Sequence, residues 1–472
     1  MKTYLHFLQR ARENGNDLKP IPAGFTDDAS RLNQTRIAEI YAPSNHEEAF
    51  EDLLRTFLQR VRSRKTPLSI AGTRHTMGGQ TFTPGGIVLN MLGWRQMHLD
   101  EQKNILHVQA GACWSDVLRY LHERQRSIKV MQSNNSFSVG GSLGANCHGW
   151  QPASPPIAST VVAFRLFLAD GTIVRCSREE HSELFALVLG GYGLFGIVID
   201  VELSVIANEC YRATGRIMSS TEYPSFYEEH VKLEQQIGLA YGRFNVEPGH
   251  FLQEIFLTTY RTTPDNSPQP LKKPGMPEIR RRVFRSSVGN SSGKALRWKL
   301  ETLLGTLAPG QQVARNSLLN EGVEVFQNRS ATSTDILHEY FVPVKQLEAL
   351  LERFRVIIPA YGVDLLNVTI RFVAPDEESF LRYADQEMFA LVMLFHQART
   401  RQAEREMSAM TQALIEASLE VGGRYYLPYR LHATIEQFQR AYPQGKAFFE
   451  LKRKYDPEAL FQNEMYRKYG AF

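Results

Sequence analysis

Gly191-Tyr192-Gly193-Leu194-Phe195-Gly196 runs directly into Ile197-Val198-Ile199-Asp200-Val201-Glu202-Leu203-Ser204-Val205, and the order of these two pieces decides the fold. The glycine-bearing piece satisfies the dinucleotide fingerprint letter by letter. That fingerprint works where a strand precedes the glycines and a helix follows, because the free N–H groups of the helix's first turn then meet a pyrophosphate. Here the order is reversed. Ser182 to Leu189 carries helix formers, and the residues after Gly196 are β-branched and alternate apolar with polar. A nicotinamide-binding Rossmann domain is therefore not expected, and the glycines read as a turn from helix to strand.

Upstream, Ala49, Phe50, Leu53, Leu54, Phe57, Leu58 and Val61 recur at helical spacing, with Pro43-Ser44-Asn45 as capping residues ahead of them, so a helix is predicted between Asn45 and Arg64. Pro67-Leu68-Ser69-Ile70-Ala71-Gly72, Gly86 to Asn90 and Asn104 to Gln109 read as short strands. Helical spacing returns at Trp114, Val117, Leu118 and Leu121, and Thr160 to Leu168 is β-branched again. The result is an α+β unit ending near residue 205.

A chain of 472 residues exceeds one ordinary core, so at least two domains are expected. Hydrophobic residues at 43% and charged residues at 22% match a packed globular protein. A net charge of +4 over this length argues against a nucleic-acid surface. Cys113, Cys147, Cys176 and Cys210 show neither zinc-ribbon spacing nor the density of a disulfide scaffold, so reduced thiols and no metal site are expected. The first ten residues lack the apolar core of a signal peptide, and no later run is long enough to span a bilayer. A cytoplasmic protein is the expectation.

Two loops carry the chemistry. Ala71-Gly72-Thr73-Arg74-His75-Thr76-Met77-Gly78-Gly79-Gln80 follows a strand and joins permissive glycines to hydroxyls, an arginine and a histidine, a composition that can aim several N–H groups at a diphosphate. Ser136-Phe137-Ser138-Val139-Gly140-Gly141-Ser142-Leu143-Gly144-Ala145-Asn146-Cys147-His148-Gly149 offers a second stretch where backbone can approach a flat ligand. Cys147 beside His148 is not read as a nucleophile pair, because neighbours on an extended segment face opposite ways. Cys147 reads as packing, while His148 is placed to reach a cofactor or substrate edge.

In order and spacing these loops, with the GGYGxFGIV element, resemble the FAD-binding domain of the vanillyl-alcohol oxidase and p-cresol methylhydroxylase superfamily. The resemblance runs from about Asn33 to Val205 and returns at Lys454-Tyr455-Asp456-Pro457 and Phe461-Gln462-Asn463. It implies FAD as cofactor, held by Ala71, Gly72, Thr73, Arg74, His75, Thr76 and Gln80 in the first loop. Ser136, Val139, Gly140, Gly141, Asn146, His148 and Gly149 follow in the second, and Gly196, Ile197 and Val198 at the third element. In many members the histidine matching His75 is linked covalently to the flavin. In others FAD is held without that bond.

Residues 206–440 are expected to form an α+β substrate domain on an antiparallel sheet, and 441–472 to return to the FAD domain. His338-Glu339-Tyr340-Phe341-Val342-Pro343, with helical spacing through Leu347, Leu350, Leu351 and Phe354, resembles the entry to that domain in the sugar-oxidising branch. Val363 to Ala374 alternates like a strand and puts Asn367, Thr369 and Arg371 on one face. In alditol and aldonolactone oxidases this strand carries a Glu-x-Arg pair. Arg371 keeps the arginine, but Thr369 replaces the glutamate. Gly422 to Arg430, and Phe438 through Tyr442-Pro443, resemble decaprenylphosphoryl-ribose oxidases, with Tyr429 where those carry a substrate-binding lysine. Arg371 is the candidate for binding a substrate oxygen or stabilising charge on the flavin, and Tyr429, His432 and Tyr426 are the remaining candidates at the site.

Arg261 to Lys299 is rich in Pro, Ser, Gly and Arg and reads as a mobile basic insertion, either a solvated loop or a lid. Lys294 to Leu304, with Leu296, Trp298, Leu300, Leu303 and Leu304, also has the pattern of a basic amphipathic helix that can rest on a membrane surface. The function expected is FAD-dependent oxidation of a CH–OH group on a polar, sugar-like small molecule, with oxygen or another compound as electron acceptor. The alternatives are an NADPH-driven reductase of a carbon–carbon double bond and a flavin-stabilised scaffold.

Overall fold

The computed structural model describes residues 21–43, 47–265, 267, 269–272, 275, 277–307 and 312–470. The helix Glu47–Ser63 occupies the predicted span, while Ser44 and Asn45 lie outside the described residues. Its apolar stripe, Phe50, Leu54, Phe57, Leu58 and Val61, packs on a small parallel sheet whose central strand is Ile87–Asn90, flanked by Glu39–Tyr41 and Leu68–Ala71. Phe50 stacks on Trp94 with ring centroids 3.5 Å apart. Leu460 and Phe461 join this cluster, and Leu68 bridges to Phe461. The C-terminal segment is thus built into the same core as the first loop. Asp456 fixes its turn by accepting the N–H groups of Leu460 and Phe461 at 2.9 and 2.8 Å and pairing with the buried Lys452.

A second, antiparallel sheet runs in the order Ile173–Ser177, Val161–Phe167, Ile197–Ala207, Ile105–Gln109 and Met97–Asp100. The helix Ser182–Val188 precedes the glycine turn and the strand Ile197–Ala207 follows it, as the sequence order requires.

The third sheet has eight antiparallel strands, in the spatial order Val313–Ala314, Cys210–Ser219, Glu254–Thr262, Ile237–Phe244, Asp364–Val373, Met388–Ala398, Ser333–Pro343 and Arg424–Tyr425. Side chains alternate between its faces. The helix Leu347–Ala360 covers one of them, where Phe354 meets Tyr340 edge-on at 5.2 Å. The helix Arg401–Glu420 packs on that same side, its Thr411 reaching His338. Glu339, between His338 and Tyr340, points to the opposite face.

Much of the basic insertion from Arg261 to Lys299 is helical among the described residues, and the stretch Lys294 to Leu304 lies within a helix as its pattern suggested. Arg261 lies in the strand Glu254–Thr262, and the helices Pro277–Arg285 and Ser291–Leu307 follow. Composition misled because the basic side chains are not all solvated. Arg285 pairs with Asp335, Lys294 donates to Asp364 at 2.6 Å, and the buried Arg297 donates to Ser287 Oγ at 2.9 Å and to the Leu366 carbonyl. Phe284 fills a small cluster with Leu366 and Leu394. Arg297 lies over the Phe284 ring, 5.0 Å from its centroid.

Candidate active site

The strand Leu68–Ala71 delivers the chain into the first loop, which packs directly on the second. A Cβ on Gly72 would stand 2.0 Å from Ser138 Oγ, so no larger residue fits there without moving one loop. His75 stacks on Phe137 with centroids 4.1 Å apart, and its Nε2 is 3.1 Å from Ser136 Oγ. Burial pushes the His75 pKa down to about 4, so the imidazole is neutral near pH 7. Arg74 takes a left-handed backbone with φ +59°. Around it, the N–H groups of Thr73, His75 and Thr76 meet no acceptor among the described residues, and neither does the buried Thr76 hydroxyl. Successive N–H groups left open beside a left-handed residue form an anion-binding concavity.

The large sheet supplies the facing wall. Glu339 stands opposite Val392, Val392 opposite Thr369, and Thr369 opposite Arg243, so these four side chains form one row on one face. Asn367 and Arg371 flank Thr369 on the same strand, and Tyr241 stands two residues before Arg243. The face is polar where a sheet in a core would be apolar. Trp150 stands edge-on to Tyr241 and Tyr260, at 5.4 and 5.5 Å. Trp150 Nε1, both amide atoms of Gln151, Asn367 Oδ1 and Arg371 Nε are buried without a hydrogen-bond partner among the described residues. Each such group costs free energy until a polar ligand or water satisfies it.

At the centre is a buried carboxylate. Glu339 is 4% exposed. Its Oε1 contacts His148 Nε2, and its Oε2 accepts a hydrogen bond from the Tyr429 hydroxyl at 3.1 Å. Burial and then the Glu339 charge drive the Tyr429 pKa well above its ordinary value, so the phenol stays protonated. Arg371 reaches across to the segment just before the second loop, donating to Ser133 Oγ at 2.7 Å. Burial lowers its pKa, opposed by the nearby Glu339 and Tyr429. A carboxylate, an imidazole, a phenol and a guanidinium thus converge from four separate segments where the two loops meet the polar face.

Comparison with known proteins agrees with this architecture. Residues 46–177 match the model of the FAD binding domain family, and residues 275–469 match that of the D-arabinono-1,4-lactone oxidase family. Cytokinin dehydrogenase 10 of Oryza sativa subsp. japonica is 26% identical over 439 residues, covering 84% of this chain and 79% of the relative. Cytokinin dehydrogenase 2 of Arabidopsis thaliana is 28% identical over 190 residues, 39% of this chain and 38% of the relative. L-gulonolactone oxidase of Mus musculus is 24% identical over 153 residues, 32% of this chain and 35% of the relative. The last two alignments span little more than a third of those relatives' length, at 38% and 35%.

This chain belongs to the vanillyl-alcohol oxidase and p-cresol methylhydroxylase superfamily of FAD-dependent oxidoreductases.

The first loop fits the FAD of this superfamily. Its open N–H groups and the unpartnered Thr76 hydroxyl suit a diphosphate, and the neutral His75 stands between that loop and the second. Ala71, Gly72, Thr73, Arg74, His75, Thr76, Ser136 and Gly141 surround this junction. Val139 is wholly buried and anchors it. The Gly140 N–H donates to the Ala110 carbonyl, and a Cβ there would stand 2.9 Å from Ala110 Cβ. Gly149 has its Cα against the Met131 carbonyl and Gln151, where a Cβ would collide. Gly196 has φ +151° and leads into the strand in which Ile197 is buried in the helix-and-sheet core and Val198 is half-buried.

The side chains of four predicted site residues are engaged with other protein groups. Gln80 donates to the Leu427 and Tyr429 carbonyls at 2.7 and 3.2 Å and accepts from the Gly78 N–H, so its amide ties the first loop to the Tyr429 segment and has no donor left for a cofactor. Asn146 donates to Asp376 and Ser379 and accepts from the Ala158 N–H, which joins the second loop to the substrate domain. Tyr426 gives its hydroxyl proton to the Ala145 carbonyl at 2.8 Å. His432 has Nδ1 on Thr411 Oγ1 and Nε2 on Glu404 Oε1, both at 2.9 Å. Thr411 lies on the helix that covers the other face of the sheet, so His432 is separated from Arg371 by the sheet itself.

Cys147 is buried, with its thiol pushed up to about 12 by burial, as a packing residue should be. Sequence reasoning missed Glu339 and Ser133. Glu339 lay inside a strand read only as a structural entry, and its one available signal was an acidic residue amid an apolar strand run. Among the described residues no helix is long and apolar enough to cross a membrane.

Proposed function

We propose that this protein oxidises a CH–OH group of a polar, sugar-like molecule. The observation that carries the reading is the buried Glu339 carboxylate, bonded to His148 and Tyr429 beside Arg371, on a polar sheet face opposite the FAD loops. A flavin held by these loops would supply the acceptor for a hydride leaving the substrate carbon. Arg371 binds and polarises the substrate oxygen, since its guanidinium retains donors beyond the one given to Ser133. Tyr429 Oη points its proton at Glu339 Oε2, which leaves its lone pairs to receive the substrate hydroxyl proton while its own proton passes to Glu339. His148 holds the carboxylate in place from the second loop. The carboxylate missing at Thr369 is thereby supplied from Glu339, with Val392 between them. His75 is the candidate for a covalent link to the flavin, through the Nδ1 that Ser136 does not use.

Similarity to L-gulonolactone oxidase and to the D-arabinono-1,4-lactone oxidase family supports a sugar-derived substrate. A second reading, dehydrogenation of a cytokinin-like compound, is favoured by the 439-residue alignment with the rice cytokinin dehydrogenase. Against it stand Arg371, Arg243 and Glu339 on the substrate face, whose desolvation by a weakly polar ligand would be costly. The test is anaerobic mixing with polyols, aldonolactones, phosphosugars and isopentenyl adenine. Loss of the yellow flavin absorbance with a member of the first three classes supports the proposal, and loss with isopentenyl adenine alone overturns it.

A further inference from the structure

The helices Pro277–Arg285 and Ser291–Leu307 are amphipathic in the inverted sense. On the second helix, the charged residues Lys294, Arg297 and Glu301 turn inward, to Asp364, the Leu366 carbonyl and Arg243. Leu296 and Leu300, one turn apart, turn outward and are 59% and 40% exposed. The first helix repeats the arrangement. Phe284 is buried inward, while Ile279 and Val283, also one turn apart, are 56% and 41% exposed. The inward sides meet where Arg297 lies over the Phe284 ring, on the sheet face that carries Leu337 and Glu339, so both outward faces look away from the sheet on the same side of the molecule.

The charges around these side chains identify what covers them. Arg282 and Lys299 are exposed and have no ion-pair partner among the described residues. The two acidic residues of the helices are neutralised, Glu278 by Arg281 and Arg329 and Glu301 by Arg243. Apolar side chains interspersed with unpaired cations suit a surface that is apolar beneath a layer of negative charge, which long basic side chains reach while the aliphatic ones insert. A second copy of this chain would set the same cations against each other. We propose that this helical pair docks the protein on a membrane surface containing acidic phospholipid, with Ile279, Val283, Leu296 and Leu300 entering the interface.

The test is vesicle flotation of the flavin-loaded protein, using phosphatidylcholine vesicles with and without phosphatidylglycerol. The protein is expected to float with the mixed vesicles and remain below with phosphatidylcholine alone, and added salt should release it. The double variant Leu296→Ser, Leu300→Ser should lose about tenfold or more in partitioning. Its flavin absorbance and melting temperature should be unchanged, because both side chains face water. Arg282→Glu with Lys299→Glu should lose binding to the same degree. Failure of the native protein to float overturns the proposal, as does equal flotation with phosphatidylcholine alone or undiminished flotation of the leucine variant. A dimer of the native protein that the leucine variant dissolves assigns the face to a second copy and also overturns it.

Discussion

Replacing Glu339 by glutamine isolates the carboxylate's charge from its packing. The amide has nearly the same shape, its oxygen can accept from Tyr429, and its N–H can donate to the His148 ring nitrogen, so both contacts of the native side chain survive. Folding stability should change by less than about 1 kcal/mol, the size of one neutral hydrogen bond in exchange for another. The amide cannot take a proton from Tyr429. Loss of a positioned general base costs about two to four decades in rate, which at about 1.4 kcal/mol per decade is on the order of 3–5 kcal/mol of barrier. The assay is anaerobic stopped-flow reduction of the bound flavin at saturating donor, with flavin content and melting temperature measured on the same preparation. A reduction rate within about threefold of the native protein, at normal flavin content, would refute a proton role for Glu339.

Arg371→Ala should leave flavin content near normal and slow reduction by an amount equivalent to about 2–4 kcal/mol, because one charge-assisted contact to the substrate oxygen is lost; unchanged reduction kinetics removes Arg371 from the reaction. Acid precipitation of the native protein should leave flavin on the polypeptide, and His75→Ala should release it, whereas complete release from the native protein shows the flavin to be non-covalent. Burial opposes ionisation of Glu404, but the His432 hydrogen bond and the Arg430 guanidinium outweigh it and hold its pKa near 2, against 4.5 unperturbed. A depressed carboxyl contributes stability that is complete above pH 4.5 and is lost as pH falls towards 2, a span worth on the order of 3 kcal/mol. Glu404→Gln should therefore lower the melting temperature near neutrality and by progressively less in acid. A difference independent of pH contradicts the assignment.

What the sequence revealed follows from which interactions are local. The FAD-binding domain was legible because two glycine-rich loops and the GGYGxFGIV element occur together in the order and spacing of the family they resemble, and the helix-before-glycine order at Gly191 argued against the competing fold. Strand alternation placed Asn367, Thr369 and Arg371 on one face, which the strand Asp364–Val373 bears out. Glu339 was not legible, because its meaning comes from His148 and Tyr429, distant in sequence and on other elements. His432 misled for the complementary reason: proximity to Tyr429 in sequence says nothing about which face of the sheet each side chain reaches. The segment from Arg261 to Lys299 was read as a mobile insertion, solvated loop or lid, with a helical pattern only at Lys294 to Leu304, because composition records how many charges there are and not that Asp335 and Asp364 receive two of them.

The central claim is that a substrate CH–OH group loses hydride to the flavin at the site built around Arg371 and Glu339. It is tested most directly by anaerobic flavin bleaching with the best polyol or lactone donor, protonated or deuterated at the carbinol carbon. Bleaching is expected in both cases, slower with deuterium, with a carbonyl product in equal amount to the flavin reduced. Bleaching by NADPH with no response to any carbinol donor would contradict the claim.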